Sequence, residues 1–218
     1  KTLSTHAAER THVRELEKTL REAEDAAAQH QVSPRGRLKL SLPLVPDRPV
    51  TGWVRIEFRM AKDERWPPID FAPLVDDAAS RKKILNLMVN GFASAWTLDK
   101  GYIQVHGDPA PESMQTIEIA FESGTQGLRR RPDLLHTLFV PAQARTVFPC
   151  FDQPDMKAPL TLKLELPAHW EALANAPEDA RELKNDLLTI RFSETQPLPT
   201  YLYAFAAGRL QRRSGRVG

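Results

Sequence analysis

Two hydrophobic periodicities divide the chain. Val13, Leu16, Leu20, Ala23 and Ala27 recur at spacings of three and four among polar neighbours, which predicts a helix over residues 1–31 with one narrow apolar stripe. Such a stripe suits packing against the chain's own body or self-association through a second helix. The run Ser33, Pro34, Arg35, Gly36 ends it. From Arg37 the period becomes two. Leu38, Leu40 and Leu42 alternate with Lys39 and Ser41. Val54, Ile56, Phe58 and Met60 alternate with Arg55, Glu57 and Arg59. The two runs read as an antiparallel hairpin turned at residues 46–49, with one face in a core and the other in water.

The same reading continues to residue 208. Strands are expected over residues 84–89, 102–105, 115–121, 134–140, 160–166, 188–192 and 201–207, with Asn90–Gly91 as a turn. No helix of crossover length separates them, so antiparallel pairing is favoured. The fold class that follows is mainly β: a two-sheet, largely antiparallel body with an added N-terminal helix. The divisions expected are 1–35 for the helix and linker, 36–210 for the β domain and 211–218 for a basic tail.

Composition narrows the function little. The 218 residues carry a net charge of +2, too small to imply a nucleic-acid partner, although residues 129–131 and the tail are locally basic. Neither run has the interleaved aromatics that single-stranded nucleic acid favours. No apolar run approaches the roughly 18 residues that would suggest a membrane span. The 18 prolines against 10 glycines suit short strands with fixed corners. Localisation stays open.

Candidate chemistry is sparse. None of His6, His12, His30, His106, His136 and His169 is followed by Glu, so the HExxH zinc spacing is missing. His136 reads as a hydrogen-bonded sheet residue. Cys150, the only cysteine, sits between Pro149 and Phe151 and reads as a small buried apolar group; a thiol nucleophile would need a base beside it. Asp152 and Asp155 lack a third metal ligand. They read as acceptors for turn amides, or as partners for Arg145 or Lys157. No catalytic residue and no metal ligand is assigned.

Residues 137–167, TLFVPAQARTVFPCFDQPDMKAPLTLKLELP, resemble the N-terminal domain of the aminopeptidase N family of zinc metallopeptidases. The match lies in a corner, Ala-Arg-x-x-Phe-Pro-Cys-x-Asp-x-Pro, occupied by Ala144, Arg145, Phe148, Pro149, Cys150, Asp152 and Pro154, then Lys157 and Ala158. The stretches VTGWVRIEF (50–58), HWEALANAP (169–177, with Asn175) and FSETQPLPTYLYAFAAGRL (192–210) agree in order. The resemblance implies a saddle-like β domain beside a separate thermolysin-like domain that carries zinc and the general base. Arg145, Phe148, Pro149, Cys150, Asp152, Pro154 and Lys157 then form a structural corner rather than an active site. The implied partners are that catalytic domain and a peptide substrate; nucleic acid and a membrane span are not implied. Where the family has Thr-Gln-x-Glu, whose Gln and Glu hold the substrate's amino group, this chain has Thr137, Leu138, Phe139 and Val140. Those substrate roles are not carried over. The rival expectation is a stand-alone binding or scaffold module of the same fold, self-associating through the N-terminal helix.

Overall fold

The computed structural model describes residues 37–43, 49–60, 62 and 65–211. The expected helix over 1–31, the turn before Pro49 and the basic tail beyond Gln211 lie outside the described residues.

Among the described residues, fifteen strands form three sheets. The largest contains β1 (Arg37–Pro43), β2 (Thr51–Arg59), β4 (Ile84–Val89), β5 (Phe92–Ala93), β8 (Met114–Glu122), β11 (Leu160–Pro167), β13 (Glu178–Lys184) and β14 (Leu187–Phe192). Its order is β13-β14-β11-β1-β2-β8-β4-β5. A four-stranded sheet, β12-β15-β10-β9, joins β9 (Leu128–Arg131), β10 (Leu134–Thr137), β12 (Glu171–Ala174) and β15 (Phe205–Gly208). A three-stranded sheet has the order β3-β7-β6, from β3 (Ile69–Asp70), β6 (Trp96–Asp99) and β7 (Tyr102–Val105). The mainly β, largely antiparallel class is the one expected from the sequence, with this third sheet added.

Alternation explains the core. Val54, Ile56 and Phe58 of β2, Ile117, Ile119 and Phe121 of β8, and Leu160, Leu162, Leu164 and Leu166 of β11 are buried, while their neighbours are partly or fully exposed. Each such side chain contributes roughly 1.5–3 kcal/mol by leaving water. Phe71, just after β3, meets Phe121 edge-on at 5.9 Å between ring centres, which brings the three-stranded sheet onto the large one.

Hairpins close through two-residue turns in which both central residues have positive φ: Asn90–Gly91, Lys100–Gly101 and Asn185–Asp186. The short helix α1 (Asp77–Arg81) starts where the Asp76 carboxylate accepts from the amides of Ala78 at 2.7 Å and Ala79 at 3.3 Å. At its other end Arg81 stacks 4.4 Å from the Trp96 ring centre.

One pairing was not anticipated, and two sequence expectations are corrected. First, β1 pairs β2 antiparallel, as expected, but pairs β11 in parallel, Leu38 facing Leu160. A parallel pair needs only a long crossover, and here the intervening β body serves instead of a helix. Second, the strand expected over 134–140 ends at Thr137: Leu138 N still donates to the Gly127 carbonyl at 2.9 Å, and the chain then turns over residues 140–143, where Pro141 has no amide to donate. Third, the run 201–207 divides into a 3-10 turn at Thr200–Leu202 and the short β15. Side-chain bonds of Thr200 and Tyr203 tie the first half elsewhere. Two strands, β12 and β13, had no alternation to announce them, and the basic run 129–131 lies within β9.

Candidate functional site

The proline corner is assembled from four segments distant in sequence. After the turn at Pro141, the 3-10 turn Ala144–Thr146 buries Ala144 and Thr146 and leaves Arg145 half-buried. The Arg145 amide donates to Asp152 Oδ2 at 3.1 Å. Its guanidinium Nη1 donates to Asp70 Oδ1 at 3.3 Å, and the Arg145 carbonyl accepts from Ala72 N at 2.9 Å. Asp70 Oδ2 accepts from the Asp152 amide at 3.1 Å, and Thr200 Oγ1 donates to Asp152 Oδ1. Asp70 and Cys150 exchange backbone bonds at 2.8 and 3.1 Å. Arg145 also lies 5.5 Å from the Tyr102 ring centre.

Asp70 is only 3% exposed. Burial pushes its carboxyl above the ordinary 3.8; the Asp152 amide and then Arg145 pull it back, and the Asp152 charge opposes them. Burial also pushes the Cys150 thiol well up, with the charges of Asp152 and Asp70 adding to it. A thiol in that state is a poor nucleophile.

The other corner residues differ in exposure. Phe148 is fully buried and meets Phe139 edge-on at 5.7 Å. Pro149 is buried. Pro154, Asp155 and Lys157 are exposed, and Lys157 N donates to the Asp155 carbonyl at 3.1 Å. Asp155 therefore stands apart from Arg145, whose side-chain partner is Asp70. Sequence reading missed Asp70 and Thr200. Asp70 did leave a signal: it is a lone acid between Ile69 and Phe71, both apolar.

Upstream of the corner, Thr137 Oγ1 accepts from Phe205 N at 3.0 Å. Phe139 points inward, while Leu138 and Val140 are 48% and 57% exposed. Asn175 ties the same end of the sheet, donating to the Leu202 carbonyl at 3.0 Å and accepting from Ala204 N at 2.6 Å. His136 Nδ1 is buried with no hydrogen-bond partner among the described residues, contrary to the satisfied histidine expected in that strand.

Clefts open on the domain, one of them at the corner. One of about 500 Å³ is lined by Leu74, Asp77, Lys100, Gln143 and Arg145 among others. Another, of about 640 Å³, runs beside β9. Among the described residues no three His, Cys, Asp or Glu side chains converge as a metal site would require. A zinc ion has no donor set among them. No described helix is long and apolar enough to cross a membrane.

Fold and corner together define a class: an open, three-sheet β domain whose proline corner is pinned by buried charge. Residues 81–202, more than half of the chain, match the Peptidase M1 N-terminal domain, and the chain belongs to that family. It is 39% identical over 95 residues to the probable M1 family aminopeptidase 2 of Encephalitozoon cuniculi, covering 41% of this chain and 11% of that protein. It is 40% identical over 81 residues to the glutamyl aminopeptidase of Sus scrofa, covering 36% of this chain and 9% of that protein. Among solved structures, the M1 zinc metallopeptidase of Deinococcus radiodurans shares the fold at a TM-score of 0.66 and 19% identity, over 80% of this chain and 41% of that one. A variant of it bound to a Tyr-Ser-Ala substrate aligns at 0.65 and 22% identity, over 84% and 43%. The chain thus spans about a tenth of these curated relatives and about two fifths of these solved structures.

Proposed function

We propose that this chain is the non-catalytic N-terminal β domain of a zinc aminopeptidase, where it walls one side of the substrate cleft and supports a separate catalytic domain. The observation that carries this reading is the family match over residues 81–202, joined to relatives that are aminopeptidases many times longer than the matched stretch. Zinc and the general base belong to the catalytic domain in this reading. The corner around Arg145, Phe148, Pro149, Cys150, Asp152, Pro154 and Lys157 is structural, fixing the direction of the chain that presents Leu138 and Val140.

Those two side chains carry no charge and no hydrogen-bonding group, so they cannot hold an ammonium group. In the proposed enzyme the substrate's free amine is bound by the catalytic domain alone, and Leu138 and Val140 offer apolar contact. The test has two parts. The purified 218 residues, supplied with zinc, should not hydrolyse an aminoacyl amide. The gene beyond Gly218 should encode HExxH within the next few hundred residues. Zinc-dependent turnover by the isolated chain, or no HExxH in the gene, would sink the proposal.

A further inference from the structure

We propose that β13 is a self-association edge: two copies of the chain pair their β13 strands antiparallel about a two-fold axis at Leu183, joining their large sheets into one. β13 is an edge of the eight-stranded sheet among the described residues, paired by β14 alone. The two strands close through the two-residue turn Asn185–Asp186, which makes Lys184 and Leu187 a hydrogen-bonded pair. Alternation along an antiparallel ladder then turns the amide and carbonyl of Glu182 towards β14 and those of Arg181 and Leu183 away from it. Among the described residues, no further backbone bond reaches Arg181 or Leu183. Such a row is open to another strand. Apolar surface also runs out to this edge. Leu183 stands opposite Leu188, and Leu188 opposite Leu166, so the three share the inner face of the sheet. Leu166 and Leu188 are buried, whereas Leu183 is 63% exposed. A second strand set beside β13 would cover it.

The occupant and its register follow from charge. A two-fold axis through a continuous sheet sets each residue opposite one of its own face, so the axis falls on a residue and not between two. An axis at Arg181, Glu182 or Lys184 sets that charge against its own copy, which repels. An axis at Ala180 sets Glu178 against Glu182, across the irregularity between Glu178 and Ala180. An axis at Leu183 sets leucine against leucine, and Glu182 of each copy against Lys184 of the other. Glu182 and Lys184 are exposed, and neither has an ion pair among the described residues. In this register the Leu183 amide of each copy donates to the Leu183 carbonyl of the other. A second copy therefore supplies the missing backbone partner, the apolar cover and both opposite charges.

The ladder is short and its area small, so the dimer should form only as concentration rises. Sedimentation velocity of the full chain over an about hundredfold range of concentration should show a reversible monomer–dimer equilibrium. Glu182→Lys sets lysine against Lys184 and should weaken association at least about tenfold; Lys184→Glu sets glutamate against Glu182 and should do the same. Combining the two restores opposite charges in exchanged places and should bring association back to within about threefold of the unmutated chain. Hydrogen exchange of the unmutated protein gives a readout that needs no variant: the Leu183 amide should slow as concentration rises, and the Lys184 amide, already bonded to β14, should not. A monomer at every concentration, association that neither charge reversal weakens, a double variant no stronger than the single ones, or Leu183 exchange independent of concentration would each overturn the proposal.

Discussion

Arg145 and Asp70 stand 75 residues apart in sequence and 3.3 Å apart in space, joining the proline corner to the three-stranded sheet. The carboxylate is nearly buried, so the pair matters mostly through what its loss would leave behind. Arg145→Ala strands the Asp70 charge and should cost about 3 kcal/mol, the lower end for a buried pair because the guanidinium is partly solvated. Adding Asp70→Asn should recover part of that. Urea denaturation of the four members of the cycle checks it, and strict additivity would contradict a direct coupling.

Acid titration should find Asp70. Its carboxyl is raised above 3.8, chiefly by burial, so the folded state holds the proton more tightly than the unfolded state. The sign follows: this group's contribution to stability is full below 3.8 and is lost as pH rises through the folded value. The stability difference between the native protein and Asp70→Asn should shrink with rising pH in that window. Denaturant midpoints at half-unit steps from about pH 3.5 to 7 measure it; parallel curves would contradict it.

Cys150 should be inert while the domain is folded. It is 1% exposed, and burial disfavours its thiolate. Labelling by a small aromatic disulfide should be at least about a hundredfold slower in buffer than in urea, with opening rather than chemistry setting the rate. Rapid stoichiometric labelling of the folded protein would instead point to a reactive thiol.

Arg181 of β13 pairs with Glu178 of the same strand at 2.8 Å and with Glu171 of β12, in the four-stranded sheet, at 2.7 Å. The geometry is good, and these carboxylates hold the guanidinium proton more firmly, but all three side chains are partly solvated. Arg181→Ala should therefore cost no more than about 1 kcal/mol, and the cost should fall at high salt. A loss of several kcal/mol in a denaturation series would show a role beyond this clamp.

Gly208 sits in β15, where an added Cβ would lie 2.2 Å from the Asp133 carbonyl oxygen. Backbone cannot yield there, so Gly208→Ala should cost about 2–3 kcal/mol. Gly91, in open space at φ +84°, should lose only about 1 kcal/mol on the same change, from backbone strain alone. Equal losses would show that packing against Asp133 is not the issue.

The corner was legible as a motif, but its wiring was not. Arg145, Phe148, Pro149, Cys150 and Asp152 stand at fixed spacing in the chain, so the resemblance could be read directly. Asp70 and Thr200 could not be paired with them, because nothing local to residues 69–71 or 199–201 says which distant turn they meet. Leu138 and Val140 show the converse. Their apolar identity was plain in the sequence, yet a strand over 134–140 would have put Leu138 and Val140 on the His136 side of a sheet instead of in an exposed turn.

What the sequence determined by itself was local and periodic. Alternation at a spacing of two marks β2, β8, β11 and β14, since burying one face of a pleated strand imposes that spacing wherever it occurs. Asn90–Gly91 marks a turn because its positive φ angles favour those residues. Tertiary structure decided which strands meet: the parallel seam of β1 with β11, the third sheet, the exposed β13 and the edge position of β9. Those choices depend on backbone bonds and contacts between residues tens to more than a hundred positions apart. No local pattern encodes a partner's address, and the completed core selects it.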